Sequence, residues 1–175
     1  DINTSYAEFH ALNNTCIAYG MTAIKNMGSK AAQAVAEGRE ENGEYKSIFD
    51  VCKINSHLIN RKSIEALVLS GACDNLAGHR AQKFEIIDDA LRWGQKLCED
   101  AASSQESLFG RDNLAFPSSP PALSEIDRWD QEECLLREKE TLGFYLSGNP
   151  LEKYLEDLHE FANIDLAHIP EKKPA

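Results

Sequence analysis

The sequence predicts a mostly α-helical protein with little or no β-strand. Three observations support this: an alanine-rich run, apolar side chains that recur at helical spacing, and Gly or Asn-Gly turn signals between the segments. The chain has 175 residues, enough to bury a hydrophobic core without disulfides or metal. Its five cysteines include no C-x-x-C pair, so we interpret them as reduced, mostly structural thiols.

The elements are predicted in chain order from these signals. An irregular lead-in with a short strand at 16–20 comes first. Two helix-turn-helix units follow at 21–43 and 47–71, each ended by an asparagine or glycine stop signal. The predicted helices cover residues 21–25, 29–39, 47–52, 60–69, 80–98, 124–142 and 150–161. Residues 99–123 are rich in serine and proline and predict a flexible loop.

Charge is distributed unevenly along the chain. The net charge is −11, but residues 1–96 carry 11 basic and 12 acidic side chains, whereas 97–175 carry 7 and 17. An acidic protein is a poor nucleic-acid binder, yet the first part is free to present a local basic patch. No apolar run approaches the roughly 18 residues that span a bilayer, and no signal peptide is visible, so we expect a cytoplasmic protein and no membrane partner. The sequence does not begin with Met, and we therefore expect a fragment of a longer protein.

The segment 24–32 places a tight turn directly before a helix N-terminus. The first N–H groups of a helix have no intrahelical partner and lie at the positive end of its dipole, which makes them an anion site. The turn resembles the Gly-hydrophobic-Gly turn of a helix-hairpin-helix motif, with asparagine in place of the first glycine. The DNA-binding residues predicted here are Lys25, Asn26, Met27, Gly28, Ser29 and Lys30. A hairpin used only for packing is the alternative.

The second unit has a helix start and two cations, but its turn contains no glycine. Its predicted phosphate contacts are Asn60, Arg61 and Lys62, and packing alone is again the alternative. Two hairpins in tandem can grip the two strands of a duplex.

The sequence predicts no catalytic residue and no metal site. The histidines are scattered without ligand spacing. A two-metal site needs inward-facing carboxylates from several elements, so the acidic residues of the second part are interpreted as a solvated helix face. These residues are Asp127, Asp130, Glu132, Glu133, Glu138 and Glu140.

Four blocks resemble, in order and spacing, the bacterial replicative DNA polymerase III alpha subunit family. They are IAYGMTAIKNMG, REENGEYKSIFDVC, NRKSIEALVLSGACDNL and ETLGFYLSGNPLEKY. The resemblance covers about residues 1–154. It implies a helical domain with tandem helix-hairpin-helix motifs that binds the sliding clamp and precedes an OB-fold. The palm with its catalytic aspartates would lie upstream, so this chain would be a non-catalytic part of a Mg-dependent DNA-directed DNA polymerase.

The resemblance also gives meaning to the sequence QESLF in the predicted loop. It matches the Q-x-[SD]-[LM]-F pattern by which the family engages the sliding clamp, with Gln105, Ser107, Leu108 and Phe109 as the matching residues. Two large apolar side chains in a loop need a pocket to bury them. The alternative is that the loop folds onto its own helices.

The resemblance implies partners and a division of the chain. The partners are duplex DNA, the sliding clamp and other replicative holoenzyme subunits, and no cofactor is expected in this chain. A helical protein-interaction adaptor without DNA binding is the rival function. The division is 1–20, the end of the fingers or a lead-in; 21–98, the tandem hairpin domain; 99–123, the loop with the clamp motif; 124–160, the C-terminal helices; and 161–175, a linker toward an OB-fold.

Overall fold

The computed structural model describes residues 1–102 and 119–161. Within these ranges, seven α-helices, one two-stranded sheet and two short 3-10 turns follow one another. The mostly helical prediction is confirmed. No helix in the described ranges is both long and apolar enough to cross a bilayer. The helices are α1 (Ser29–Asn42), α2 (Ile48–Ile54), α3 (Arg61–Leu69), α4 (Arg80–Glu85), α5 (Ile87–Ala102), α6 (Gln131–Leu142) and α7 (Leu155–Phe161).

The β-structure of the described residues is one small antiparallel hairpin near the N-terminus. Strand β1 (His10–Ala11) pairs with β2 (Ile17–Ala18). The strand predicted at 16–20 is therefore present but shorter. It ends before Gly20, which is the N-cap of a 3-10 turn at Met21–Ala23.

The packing of α2 against α5 lies at the centre of the fold. The rings of Phe49 and Trp93 meet edge to face with their centroids 5.8 Å apart. Gly94 allows close approach of the two helices, because a Cβ there would lie 2.7 Å from the carbonyl oxygen of Cys52. The core side chains with at most 1% exposure are Ile2, Met21, Ala32, Val35, Ile48, Val51, Cys52, Ile64, Leu67, Val68, Cys73, Ile87 and Ala90.

A buried polar network joins the two helix-turn-helix units. The Tyr45 hydroxyl donates to the carbonyl of Val35 at 2.8 Å and accepts from Nδ2 of Asn55 at 3.1 Å. Gly38 on α1 makes room for this network, since a Cβ there would lie 2.7 Å from the Tyr45 hydroxyl. The two units therefore pack as one body.

The irregular lead-in is tied to the helical core. Arg39 of α1 donates hydrogen bonds to the carbonyls of Ile2 at 2.9 Å and Ser5 at 2.8 Å. The N–H of Ile2 donates to the carbonyl of Ala72 at 2.8 Å. The Ile2 side chain is fully buried, so this segment is part of the core although it is not helical.

The helix predicted over 80–98 is two helices. The first ends at Glu85, the C-cap residue Ile86 donates its N–H to the carbonyl of Gln82, and α5 begins at Ile87. The break allows these two adjacent isoleucines both to be buried. The apolar spacing continues across the break, which is why the sequence did not reveal it. Helix α5 also extends to Ala102, past the predicted end.

The helix predicted to start at Ser124 starts at Gln131. Residues 119–130 contain no helix and lie against α4, where Nε2 of Gln82 donates to the carbonyl of Ser124 at 2.8 Å. Asp130 then caps α6 by accepting a 2.7 Å hydrogen bond from the N–H of Glu133. The cap and the contacts with α4 set the start of the helix.

The prediction of a solvated acidic face is wrong for Glu138. Its side chain is 1% exposed and accepts a 2.8 Å hydrogen bond from Arg80. Its second oxygen accepts from the N–H groups of Leu146 and Ser147, at 3.0 and 2.9 Å. Glu138 therefore fixes the chain that follows α6 rather than facing water.

Candidate nucleic-acid interface

The first hairpin turn connects the 3-10 turn at Met21–Ala23 to α1. Asn26 has a φ of 71°, the left-handed backbone predicted for it. The N–H of Met27 donates to the carbonyl of Ile24 at 3.0 Å and closes the turn. The chain therefore reverses at Asn26 and enters α1 through Gly28.

The six predicted residues of this turn divide into an anchor and a surface. Met27 is the anchor, because its side chain is buried and its N–H is already bonded within the turn. It positions the turn and presents nothing to solvent. The exposed residues are Lys25, Asn26, Gly28, Ser29 and Lys30.

The N-terminus of α1 has no cap of its own. Gly28 occupies the N-cap position and no side chain bonds to the first turn. No described residue accepts a hydrogen bond from the N–H of Gly28, Ser29, Lys30 or Ala31. A Cβ on Gly28 would have nothing within 4 Å. Its φ of −74° is open to any residue, so the missing side chain is the relevant property, because it leaves the N–H groups accessible.

The charges around this turn favour an anion. The first turn of α1 contains no acidic residue. Within the described residues, neither Lys25 nor Lys30 forms an ion pair, whereas eight other cation–carboxylate contacts are present. Two unpaired lysines and a helix dipole therefore present positive charge at one place.

The second hairpin differs, because its helix start is already occupied. The Asn60 side chain caps α3 by accepting from the N–H of Ser63 at 3.0 Å. Arg61 is paired with Glu65 at 2.7 Å and with Asp88. Hydrogen bonds to these carboxylates, that to Glu65 first, raise the pKa of Arg61.

Lys62 is the exception in the second hairpin. It is exposed and makes no ion pair with a described residue. Of the three residues predicted to bind DNA here, it alone keeps a side chain that is exposed and not already engaged.

The first turn is also held by a backbone hydrogen bond to α6 that the sequence did not predict. The N–H of Lys25 donates to the carbonyl of Thr141, in the last turn of α6, at 2.9 Å. Sequence reasoning missed Thr141 because a bond between two backbone groups requires no particular side chain and leaves no signature.

The predicted clamp-binding residues lie outside the described residues. This applies to all four of them, Gln105, Ser107, Leu108 and Phe109, so their role stays a prediction. In residues 1–102 and 119–161, no group of three or more His, Cys, Asp or Glu side chains is arranged to hold a metal ion.

Comparison with known proteins places the hairpins in a family. Residues 1–83, which contain both turns, match a family model described as a helix-hairpin-helix motif. The chain is 36% identical over 163 residues to DNA polymerase III subunit alpha of Pasteurella multocida. The corresponding figures are 34% over 167 residues in Vibrio cholerae and 32% over 162 residues in Escherichia coli K12.

These alignments cover 92–95% of this chain. The chain is homologous to a segment of the DNA polymerase III alpha subunit. The family indicated by the four sequence blocks is thereby confirmed. The chain spans about 14% of the length of these alpha subunits.

Proposed function

We propose that this chain is the part of a bacterial replicative polymerase alpha subunit that holds duplex DNA and tethers the enzyme to its sliding clamp. The observation that carries the DNA-binding half is the exposed, uncapped start of α1 between Lys25 and Lys30. Helix N-termini bind phosphates rather than base edges, so binding is independent of base sequence.

Each residue of the first turn has a distinct role in this proposal. The N–H groups of Gly28, Ser29 and Lys30 bind a backbone phosphate. The side chains of Lys25 and Lys30 add charge that salt screens. Asn26 sets the reversal of the chain, and Met27 holds the turn to the core.

The second hairpin contributes mainly packing. Asn60 and Arg61 are engaged by partners within the protein, so only Lys62 adds to the DNA surface. We expect about three phosphates to be neutralised in total. A plot of the logarithm of the DNA-binding constant against the logarithm of the salt concentration then has a slope near −3, at about −0.9 per phosphate.

The clamp-tethering half rests on the motif at residues 105–109. Leu108 and Phe109 insert into an apolar pocket of the clamp, and Gln105 and Ser107 bond at its rim. The chain itself supplies no catalytic residue. Nucleotidyl transfer and its Mg belong to the remainder of the alpha subunit, which acts in the cytoplasm with the other holoenzyme subunits.

One observation favours a protein-interaction adaptor as a second candidate function. The β-hairpin exposes the apolar side chains of Phe9, Leu12 and Ile17, the last to 71%. Exposed apolar residues of this size are typical of a surface that contacts another protein. An adaptor would show no affinity for DNA.

Titration of fluorescent duplex DNA with the chain, followed by anisotropy at increasing salt, separates the two. We expect binding at low salt, a slope near −3 and no dependence on base sequence. The Lys25→Ala/Lys30→Ala double variant should lose at least about tenfold in affinity, because each removed phosphate contact costs binding. No binding at about 50 mM salt would exclude DNA binding by this chain.

Two matched variants locate the DNA surface. Lys46→Ala removes an exposed lysine that follows the C-terminal end of α1, a helix about 20 Å long at about 1.5 Å per residue. Arg61→Ala removes a cation that is already paired. Both should bind DNA nearly as the wild type does, and a loss equal to that of the double variant would contradict the assignment to the first turn.

A further inference from the structure

A cavity of about 530 Å³ lies between α4, the chain leading into α6 and the chain following it. It shares no residue with the two hairpin turns. Three cations line it, Arg80, Lys83 and Arg128, against one carboxylate, Asp74. In a chain with a net charge of −11, a cavity with this balance of charge is not expected from composition.

Arg80 has an incomplete set of hydrogen bonds. Its side chain is 10% exposed. Nε and Nη2 donate to Asp74 at 2.8 and 2.6 Å, and Nη2 also donates to Glu138 at 2.8 Å. Nη1 is buried and bonds to no described residue. A buried donor without an acceptor costs free energy, so an acceptor from outside the protein would complete this group.

Lys83 is fully buried and faces no carboxylate partner. Its ammonium donates to the carbonyls of Cys73 at 2.8 Å and Leu76 at 3.0 Å. An ammonium carries three hydrogens, so one remains for a further acceptor. Both acceptors are neutral, so the ammonium has no ion-pair partner among the described residues, and burial lowers the pKa of Lys83.

Two other polar side chains of the lining, Arg128 and His79, differ in whether they are free to bind a ligand. Arg128 is exposed and forms no ion pair with a described residue. His79 is used on both nitrogens: Nδ1 accepts from the N–H of Gln82, and Nε2 therefore donates to the carbonyl of Ile126. The lining holds three cations and one carboxylate, and Glu138, which pairs with Arg80 from outside the lining, leaves a local excess of one positive charge.

We propose that this cavity binds a phosphate group. The negative charge of a phosphate group matches this excess of positive charge, and guanidinium groups pair with phosphate oxygens through strong, directional hydrogen bonds. The phosphate accepts from Arg80 and Lys83 at the inner end of the cavity and from Arg128 at its mouth. The volume exceeds that of a free phosphate, so the group can be inorganic phosphate or part of a DNA strand.

The test is calorimetric titration of the 175-residue chain with inorganic phosphate, beside thermal melts in phosphate and in chloride at equal ionic strength. We expect phosphate to raise the melting temperature relative to chloride, since a ligand of the native state stabilises it. Arg128→Gln should weaken phosphate binding by about tenfold or more, the loss typical of a charge-assisted hydrogen bond. Arg128 is exposed, so this variant should fold normally.

Matched controls separate this site from the DNA-binding turn. Arg92→Gln, which removes an exposed arginine of α5 paired with Asp89, and Lys25→Ala/Lys30→Ala should both bind phosphate as the wild type does. Displacement of phosphate by excess duplex would assign the site to a DNA phosphate, and no displacement to a free one. Equal melting temperatures in the two buffers, or wild-type phosphate affinity in Arg128→Gln, would overturn the proposal.

Discussion

The backbone N–H of Lys25 donates a 2.9 Å hydrogen bond to the carbonyl of Thr141. Lys25 lies in the first hairpin turn, and Thr141 lies in the last turn of α6, which comes later in the sequence than residues 105–109, our proposed clamp-binding motif. Helix α6 is itself held through Glu138, which is paired with Arg80. The turn that we propose binds DNA is therefore supported by the helix that follows the proposed clamp contact.

The first prediction concerns Gly28→Val. A branched side chain at the N-cap would cover the open N–H groups of α1, so affinity for duplex DNA should fall by about tenfold or more. A Cβ at this position meets nothing within 4 Å, and the change of N-cap residue should cost at most about 1 kcal/mol of stability. Anisotropy and helical circular dichroism measure the two effects. Loss of the helical signal together with DNA binding would favour a hairpin used only for packing.

The second prediction concerns Gly94→Ala, which tests the contact between α2 and α5. The new methyl group would lie 2.7 Å from the Cys52 carbonyl oxygen, and backbone cannot move aside as a flexible side chain can. Overpacking of this kind costs about 1–3 kcal/mol, to be measured by urea unfolding. Gly28→Ala is the matched control and should leave the unfolding midpoint almost unchanged. Equal midpoints for the two variants would show that the helices are not in close contact.

The third prediction concerns Glu138 and acid. Burial opposes ionisation of Glu138, but hydrogen bonds from Ser147, Arg80 and Leu146 outweigh it and lower the pKa of this carboxyl from its ordinary 4.5. Its contribution to the free energy of unfolding is therefore complete above about pH 4.5 and is lost as the pH falls toward the lowered folded pKa. Urea unfolding of the wild type across this range should show the loss.

Glu138→Gln isolates this contribution. It should cost about 1.5–3 kcal/mol at neutral pH, as expected for a hydrogen bond with a charged partner, and it should flatten the acid dependence. Glu140→Gln, on the exposed side of the same helix, is the control and should retain both stability and acid dependence. An acid profile of Glu138→Gln identical to the wild type would refute this role.

The fourth prediction concerns the clamp. Replacing Leu108 and Phe109 by alanine should remove most of the affinity for a purified bacterial sliding clamp, since burying each large apolar side chain contributes about 1.5–3 kcal/mol. The parent contact should be roughly micromolar, because a short segment must become ordered on binding. Glu106→Ala changes the unrestricted position of the motif and should bind normally. Clamp binding by the double variant at the wild-type level would remove the motif from the proposal.

Local chemistry made most of the helices predictable. Asn60 caps α3 as its side chain predicts, and Asn26 adopts the left-handed turn that asparagine tolerates. Both features depend on a few adjacent residues, and such signals are readable from sequence. The start of α6 was missed because Ser124 is held by contacts with α4, which no local pattern records.

The residue types of the candidate site could be predicted from the sequence. Which of their side chains are free to bind a ligand could not. From the sequence, both hairpins are predicted to have a helix start and cations. The structure shows that Arg61 is paired with Glu65 and Asp88. Lys25 and Lys30, in contrast, form no ion pair with a described residue. Ion pairing between distant segments depends on the tertiary fold. For the same reason, an acidic residue such as Glu138 was assigned to the surface although it is buried.

The bonds from Arg39 to the carbonyls of Ile2 and Ser5 have a consequence for how the protein opens. They attach a segment without helix or strand to the last turn of α1, and the Ile2 side chain of this segment is fully buried. The amide of Ile2, bonded to Ala72, should therefore exchange its hydrogen as slowly as amides of the central helices, whereas unattached chain ends exchange fast. Deletion of residues 1–20 would remove this N-terminal segment from the core and shorten the lifetime of the folded state.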